Sequence, residues 1–106
     1  MTWTVKIKHT RPNTDVEFYK ATESSYMSDS DISYIESTYR DTEKLVSVSA
    51  SLSDNQLELT KTIVYRDEDS KNEFWNDSRI QTWISARNSY NTSNNITRVI
   101  IQNEET

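Results

Sequence analysis

The sequence predicts an α+β fold, a four-stranded antiparallel sheet with helices on one face. Three observations predict it. Short stretches with a period of two recur along the chain. Two longer stretches carry apolar residues at helical spacing behind capping residues. The stretches follow one another as strand, helix, strand, strand, helix, strand.

Each element has its own warrant. Trp3, Val5 and Ile7 alternate with Thr2, Thr4, Lys6 and Lys8, which makes a first strand. Arg11-Pro12-Asn13 ends it, because proline has no donor for a ladder. Residues Asn13 to Met27 hold Val16, Phe18, Tyr19, Tyr26 and Met27, too many apolar groups for a free loop. They predict a long connection packed on the surface, with an extended piece at Val16 to Tyr19. A helix begins near Ser28, a cap type, with Asp29 and Asp31 at the positive end of its dipole. Ile32, Ile35 and Tyr39 fall on one face, and the helix ends near Arg40-Asp41.

The stretch KLVSVSASLSDNQLELTKTIVY, Lys44 to Tyr65, reads as a hairpin. Val46, Val48, Ala50 and Leu52 hold one phase, and Ser47, Ser49 and Ser51 the other. The chain has no glycine. Positive φ in the turn is therefore expected at Asp54 or Asn55, which tolerate it best. Leu57, Leu59 and Ile63 resume the alternation; Lys61 interrupts it and is expected at an edge or opening. Asp67-Glu68-Asp69-Ser70 opens a second helical region. Its apolar residues form no single stripe unless the helix breaks near Asn76-Asp77-Ser78. Asp77 then caps a segment carrying Ile80, Trp83, Ile84 and Arg87. Asn91 to Asn95 reads as a loop, Ile96 to Gln102 as a last strand, and Asn103 to Thr106 as a fraying tail.

Length and composition bound the rest. The 106 residues predict one domain, residues 1–106. Apolar content of 33% is low, but three tryptophans and six tyrosines argue for a packed core over a disordered chain. The net charge is −5 and no Lys/Arg run exists, which speaks against nucleic acid as a partner. Without cysteine there is neither disulfide nor thiolate chemistry. The first residues, MTWTVKIKHT, hold no long apolar run, so neither a signal peptide nor a membrane span is expected, and the cytoplasm is the expected location.

Right-handed crossovers place both helices on one face and make the first and third strands central, the ferredoxin-like βαββαβ arrangement. Residues Thr60 to Ile101 carry a further pattern. A strand ends in Ile63-Val64-Tyr65, and Asp67-Glu68-Asp69 follows. Phe74-Trp75 precedes Asp77. Ile80 and Trp83 lead to a polar loop and a final Val99-Ile100-Ile101 strand. In this the chain resembles the dimeric α/β-barrel group, to which the antibiotic-biosynthesis-monooxygenase-like domains belong. The resemblance implies two sheets paired face to face in a homodimer, and an activity that in some members is oxygenation or haem handling. It brings no catalytic residue onto this sequence. The apolar ends Ile63 to Tyr65 and Val99 to Ile101 are expected together at the Trp3 end of the sheet, where a second copy covers their free side.

Candidate chemistry is sparse. His9 is a candidate general base or metal ligand, but no second histidine or cysteine supports it. Its neighbours Lys8 and Arg11 predict a solvent-exposed histidine at a strand end, held neutral. The acids Asp29/Asp31 and Asp67/Glu68/Asp69 lack the glycine and the spacing of a calcium loop and read as helix starts. No catalytic residue, metal or cofactor is assigned. Any cavity is expected between helices and sheet, lined by Ile7, Tyr39, Trp75 and Trp83 and suited to a small apolar or aromatic guest. The sequence thus favours a small non-catalytic homodimer that binds or assembles. The alternative is a monooxygenase-like enzyme or a carrier of such a guest.

Overall fold

A computed structural model of the chain describes residues 1–19 and 28–106. Strand β1 spans Trp3–Thr10. Helix α1, Asp29–Ile35, passes into a π-helical segment, Glu36–Arg40, closed by the Asp41 N–H on the Glu36 carbonyl at 2.8 Å. The hairpin is β2, Leu45–Leu52, and β3, Glu58–Tyr65. Helices α2, Glu68–Asn76, and α3, Ser78–Ser93, follow, and β4 is Thr97–Glu105. The strands form one antiparallel sheet in the order β2-β3-β1-β4. The helices pack on one face of it, so the fold is α+β of the ferredoxin-like kind.

The caps are where the residue types put them. Ser28 Oγ accepts the Asp31 N–H, Asp67 accepts the Ser70 N–H, and Asp77 accepts the Arg79 and Ile80 N–H groups. Asp77 also ends α2, so one residue turns the chain from one helix into the next. Between sheet and helices lies a core of Val5, Ile7, Tyr39, Leu45, Tyr65, Phe74 and Ile80. Full burial of an aliphatic side chain such as Ile80 stabilises the fold by roughly 1.5–3 kcal/mol. The opposite face of the sheet carries Thr4, Lys6 and Lys8 beside Thr60, Thr62, Ser47 and Ser49 in register, and it is largely polar.

Several expectations need correction. In the hairpin turn positive φ falls on Gln56, at 63°, and not on Asp54 or Asn55. The Asn55 carboxamide oxygen instead accepts the Leu57 N–H at 3.0 Å and the Ser53 hydroxyl at 2.7 Å, which ties the turn from the side. Among the described residues Glu43 and Asn95 are the others at positive φ. Asn91 to Ser93 belong to α3, because the Asn94 N–H still reaches the Tyr90 carbonyl at 3.0 Å. The tail does not fray: β4 runs to Glu105, and the Thr106 N–H donates to the Thr2 carbonyl at 2.9 Å. This extension moves the apolar ends apart. Tyr65 pairs with Trp3, but Val99 and Ile100 pair with Lys8 and Ile7, and Trp3 meets Glu105 on β4.

The segment before α1 is only partly described. Residues 16–19 form no strand. They are held by side chains: Arg11 Nη1 donates to the Val16 carbonyl at 2.9 Å, and Tyr90 Oη to the Glu17 carbonyl at 2.6 Å. Buried Tyr19 meets the rings of Trp83 and Tyr90 at 6.4 and 5.4 Å. The rest of the expected connection, residues 20–27 with Tyr26 and Met27, lies outside the described residues.

A candidate ligand-binding groove between helices and sheet

A groove of about 1090 Å³ opens between the helices and the face of the sheet they cover. Its floor follows from strand register. Ile7 on β1 pairs with Lys61 on β3, and Lys61 pairs with Ala50 on β2. Leu59, Ile63, Val48 and Leu52 share that face by the period of two. Val48 and Leu52 are each 49% exposed, so the β2 end of the floor is apolar and uncovered. On the helix side stand Ile32 and Ile35 of α1 and Trp75 of α2. Trp83 and Ile84 of α3 stand beside Arg87, one turn further along the same face. Phe18 and Tyr19 close one flank.

One corner of the groove is basic. Arg87, Lys61 of β3 and Arg98 of β4 all line it, and His9 lies beside them. Arg87 is 6% exposed and His9 4%. Arg87 lies over the Trp83 ring at 5.6 Å, and its Nη2 reaches Asn88 Oδ1 at 3.4 Å. The Nε atoms of Arg87 and Arg98 and Nε2 of His9 are buried without a hydrogen-bond partner. Burial, reinforced by Lys61, Arg87 and Arg98, pulls the His9 pKa down to about 3. Burial also lowers Lys61 to about 8, helped by Arg87 and Arg98. Arg87 falls to about 10 through burial and Arg98, opposed by Tyr19 and Tyr65. His9 is therefore a buried neutral imidazole, not the exposed strand-end residue its sequence neighbours suggested. Across the strand it faces Arg98, a contact that sequence adjacency hides.

Of the four residues expected to line a cavity, Ile7, Trp75 and Trp83 line this groove. Trp75 is held by its Nε1–H on Tyr65 Oη at 2.9 Å. Tyr39 sits in the core instead, 1% exposed, edge-on to Phe74 at 4.9 Å. Its hydroxyl donates to Asp77 Oδ2 at 2.6 Å. Sequence reasoning did not name Lys61, Arg87 or Arg98 as site residues. The available signal was that each is a cation interrupting an apolar phase.

Among the described residues no three His, Cys, Asp or Glu side chains gather as a metal site. No described helix is long and apolar enough to cross a membrane. No protein-family model matches the chain, and no curated protein is significantly similar to it. Among solved structures it is similar to Rv0793 from Mycobacterium tuberculosis. The two superpose with a TM-score of 0.55 over 98% of this chain and 97% of the other, at 14% identity. At that identity the likeness concerns architecture: the chain shares its fold, end to end, with Rv0793.

Proposed function

We propose that this protein binds a small ligand with an apolar or aromatic body in the helix–sheet groove, without transforming it, and that it works as a homodimer. The observation that carries the ligand reading is the groove itself. Its volume is at the upper limit of small-molecule sites, and Trp83, Tyr19, Leu52 and Val48 give it an apolar wall. Dimerisation is supported by Val99, Ile100 and Ile101, which are 53%, 40% and 52% exposed. They lie on β4, an edge strand with unpaired backbone groups, and an edge of this kind suits a second copy of itself about a two-fold axis. The element order and the Thr60 to Ile101 pattern favour the dimeric α/β-barrel group, with its antibiotic-biosynthesis-monooxygenase-like domains, as the family. A monooxygenase-like enzyme would use the same groove. Against it stands His9, too weak a base at a pKa of about 3 to carry a proton at neutral pH.

Calorimetric titration with 2-naphthamide, a neutral aromatic probe, tests the groove. Saturable binding is expected, weakened about tenfold or more in Trp83→Ala. An absence of saturable binding refutes the reading. Conversion of the probe with added flavin or haem would put the enzyme in its place. Light scattering at micromolar concentration is expected to give twice the 12.4 kDa chain mass. A monomer mass would refute the dimer.

A further inference from the structure

We infer that the guest of this groove is an organic acid, with a carboxylate or equivalent oxyanion against Arg87, Arg98 and Lys61 and an apolar body against Trp83, Tyr19 and the β2 floor. The inference rests on the groove reading above and names the chemistry of its ligand. Three cations reach one corner from three elements, α3, β4 and β3. On the sheet, Lys61 and Arg98 stand on strands flanking β1, opposite Ile7 and His9, so they lie roughly 12 Å apart on the diagonal. Long basic side chains close such a gap onto a shared anion.

Among the described residues the corner has no counter-charge paired with it. Among the described residues the ion pairs are Lys8–Glu58, Lys44–Glu73, Arg66–Asp67 and Arg79–Asp31, and none includes Arg87, Arg98 or Lys61. The carboxylates that line the groove, Glu17 and Glu36, are exposed. The groups that favour the charge on Arg87 are phenols, Tyr19 and Tyr65. Arg11, which also lines the groove, shows what a structural arginine looks like here: its Nε and Nη1 donate to the Gln56 and Val16 carbonyls at 2.8 and 2.9 Å. Arg87 stacks over Trp83, but among the described residues its one side-chain hydrogen bond is the long contact to Asn88, and its Nε is orphaned. A buried cation without a partner is costly, and a guanidinium fork matches a carboxylate or phosphate geometrically. The chain as a whole is acidic, at −5, so a cationic corner in its groove is a local arrangement.

The test compares 2-naphthoate with 2-naphthamide, which share one ring system and differ in charge. Calorimetry is expected to show naphthoate binding at least tenfold tighter. Arg87→Gln and Arg98→Gln should each bring the ratio toward one, weakening naphthoate more than naphthamide. If Arg87→Gln does not fold, Arg98→Gln and a salt series carry the test. Raising sodium chloride from 50 to 500 mM should weaken naphthoate alone. Equal affinities in the parent protein, or a naphthoate affinity indifferent to salt and to both substitutions, would overturn the acid and leave the groove. Binding of neither probe would overturn the groove and the acid together. Sulfate binding as tightly as naphthoate would show a site for a free oxyanion and overturn the organic acid.

Discussion

His9 has its imidazole buried among cations, and the consequence is a pH dependence whose sign is fixed. A histidine in the unfolded chain titrates near 6.5, whereas in the folded protein burial and the cations lower it to about 3. Between those values the unfolded chain binds the extra proton. Folding stability is therefore fully present above about pH 6.5 and is lost as the pH falls toward 3. The loss from this group between pH 7 and pH 5 is up to about 2 kcal/mol. Urea titrations at the two pH values should show it in the parent protein, and His9→Gln should remove that part of it. Gln56 offers a second check. Its φ of 63° is strained for a residue with a Cβ, so Gln56→Gly should be stabilising by up to about 1 kcal/mol in thermal denaturation. Asn55→Gly should be destabilising, since it removes the acceptor for Leu57 N–H. Sequence alone placed the strain on Asn and Asp by residue preference. The hydrogen bonds of the Asn55 side chain decided otherwise, and neighbours across a ladder, such as Arg98 opposite His9, are not readable from adjacency.

At the scale of elements the junction at Asp77 joins three helices. Oδ1 accepts Arg79 N–H at 2.8 Å and Ile80 N–H at 3.4 Å, and Oδ2 accepts the hydroxyls of Tyr34 at 2.5 Å and Tyr39 at 2.6 Å. Burial opposes its ionisation, but these hydrogen bonds outweigh it and hold the carboxyl below the usual range. Tyr34 belongs to α1 and Tyr39 to its π-helical continuation, so the junction fixes both against α3. Asp77→Ala should cost roughly 2–4 kcal/mol in denaturant unfolding. About 1 is the lost cap, and about 1–3 is the buried Tyr39 hydroxyl left with only its long 3.4 Å contact to the Glu73 carbonyl. A cost below about 1 kcal/mol would show that the tyrosines find other acceptors. The caps Ser28, Asp67 and Asp77 were legible because each is a capping type ahead of helical spacing. The end of α3 was not, because Asn91, Thr92 and Ser93 have loop preferences that tertiary packing overrides: Asn91 is buried. Removing the uncompensated cation of α3 should also help the fold. Arg87→Met is expected to raise the unfolding free energy by up to about 1–3 kcal/mol.

On the scale of the whole molecule the order of elements was the most legible feature, since a period of two and a period near 3.6 are written directly in the residues. The groove was half legible. Ile7, Trp75 and Trp83 were expected on its wall, whereas Tyr39 had the same helical spacing and went to the core. Which apolar residue faces a void and which fills one depends on how layers meet, and spacing does not encode that. The proposed dimer has its own check at this scale. Ile101→Lys puts a charge into the exposed Val99–Ile101 strip and should shift the species seen by light scattering to the monomer, with unchanged circular dichroism. A dimer unaffected by the substitution would mean that another surface is used. The strand order β2-β3-β1-β4 bears on how the chain is made. β1 is made before both of its neighbours in the sheet, yet it is interior to it, and β4 follows only after all the intervening elements. At ordinary rates of translation β1 waits on the order of ten seconds for β4. For that time Ile7 and its strand have at least one open edge. A nascent-chain stage with an unpaired strand is thus built into the topology, and holdase chaperones that grip extended apolar segments have their opening there.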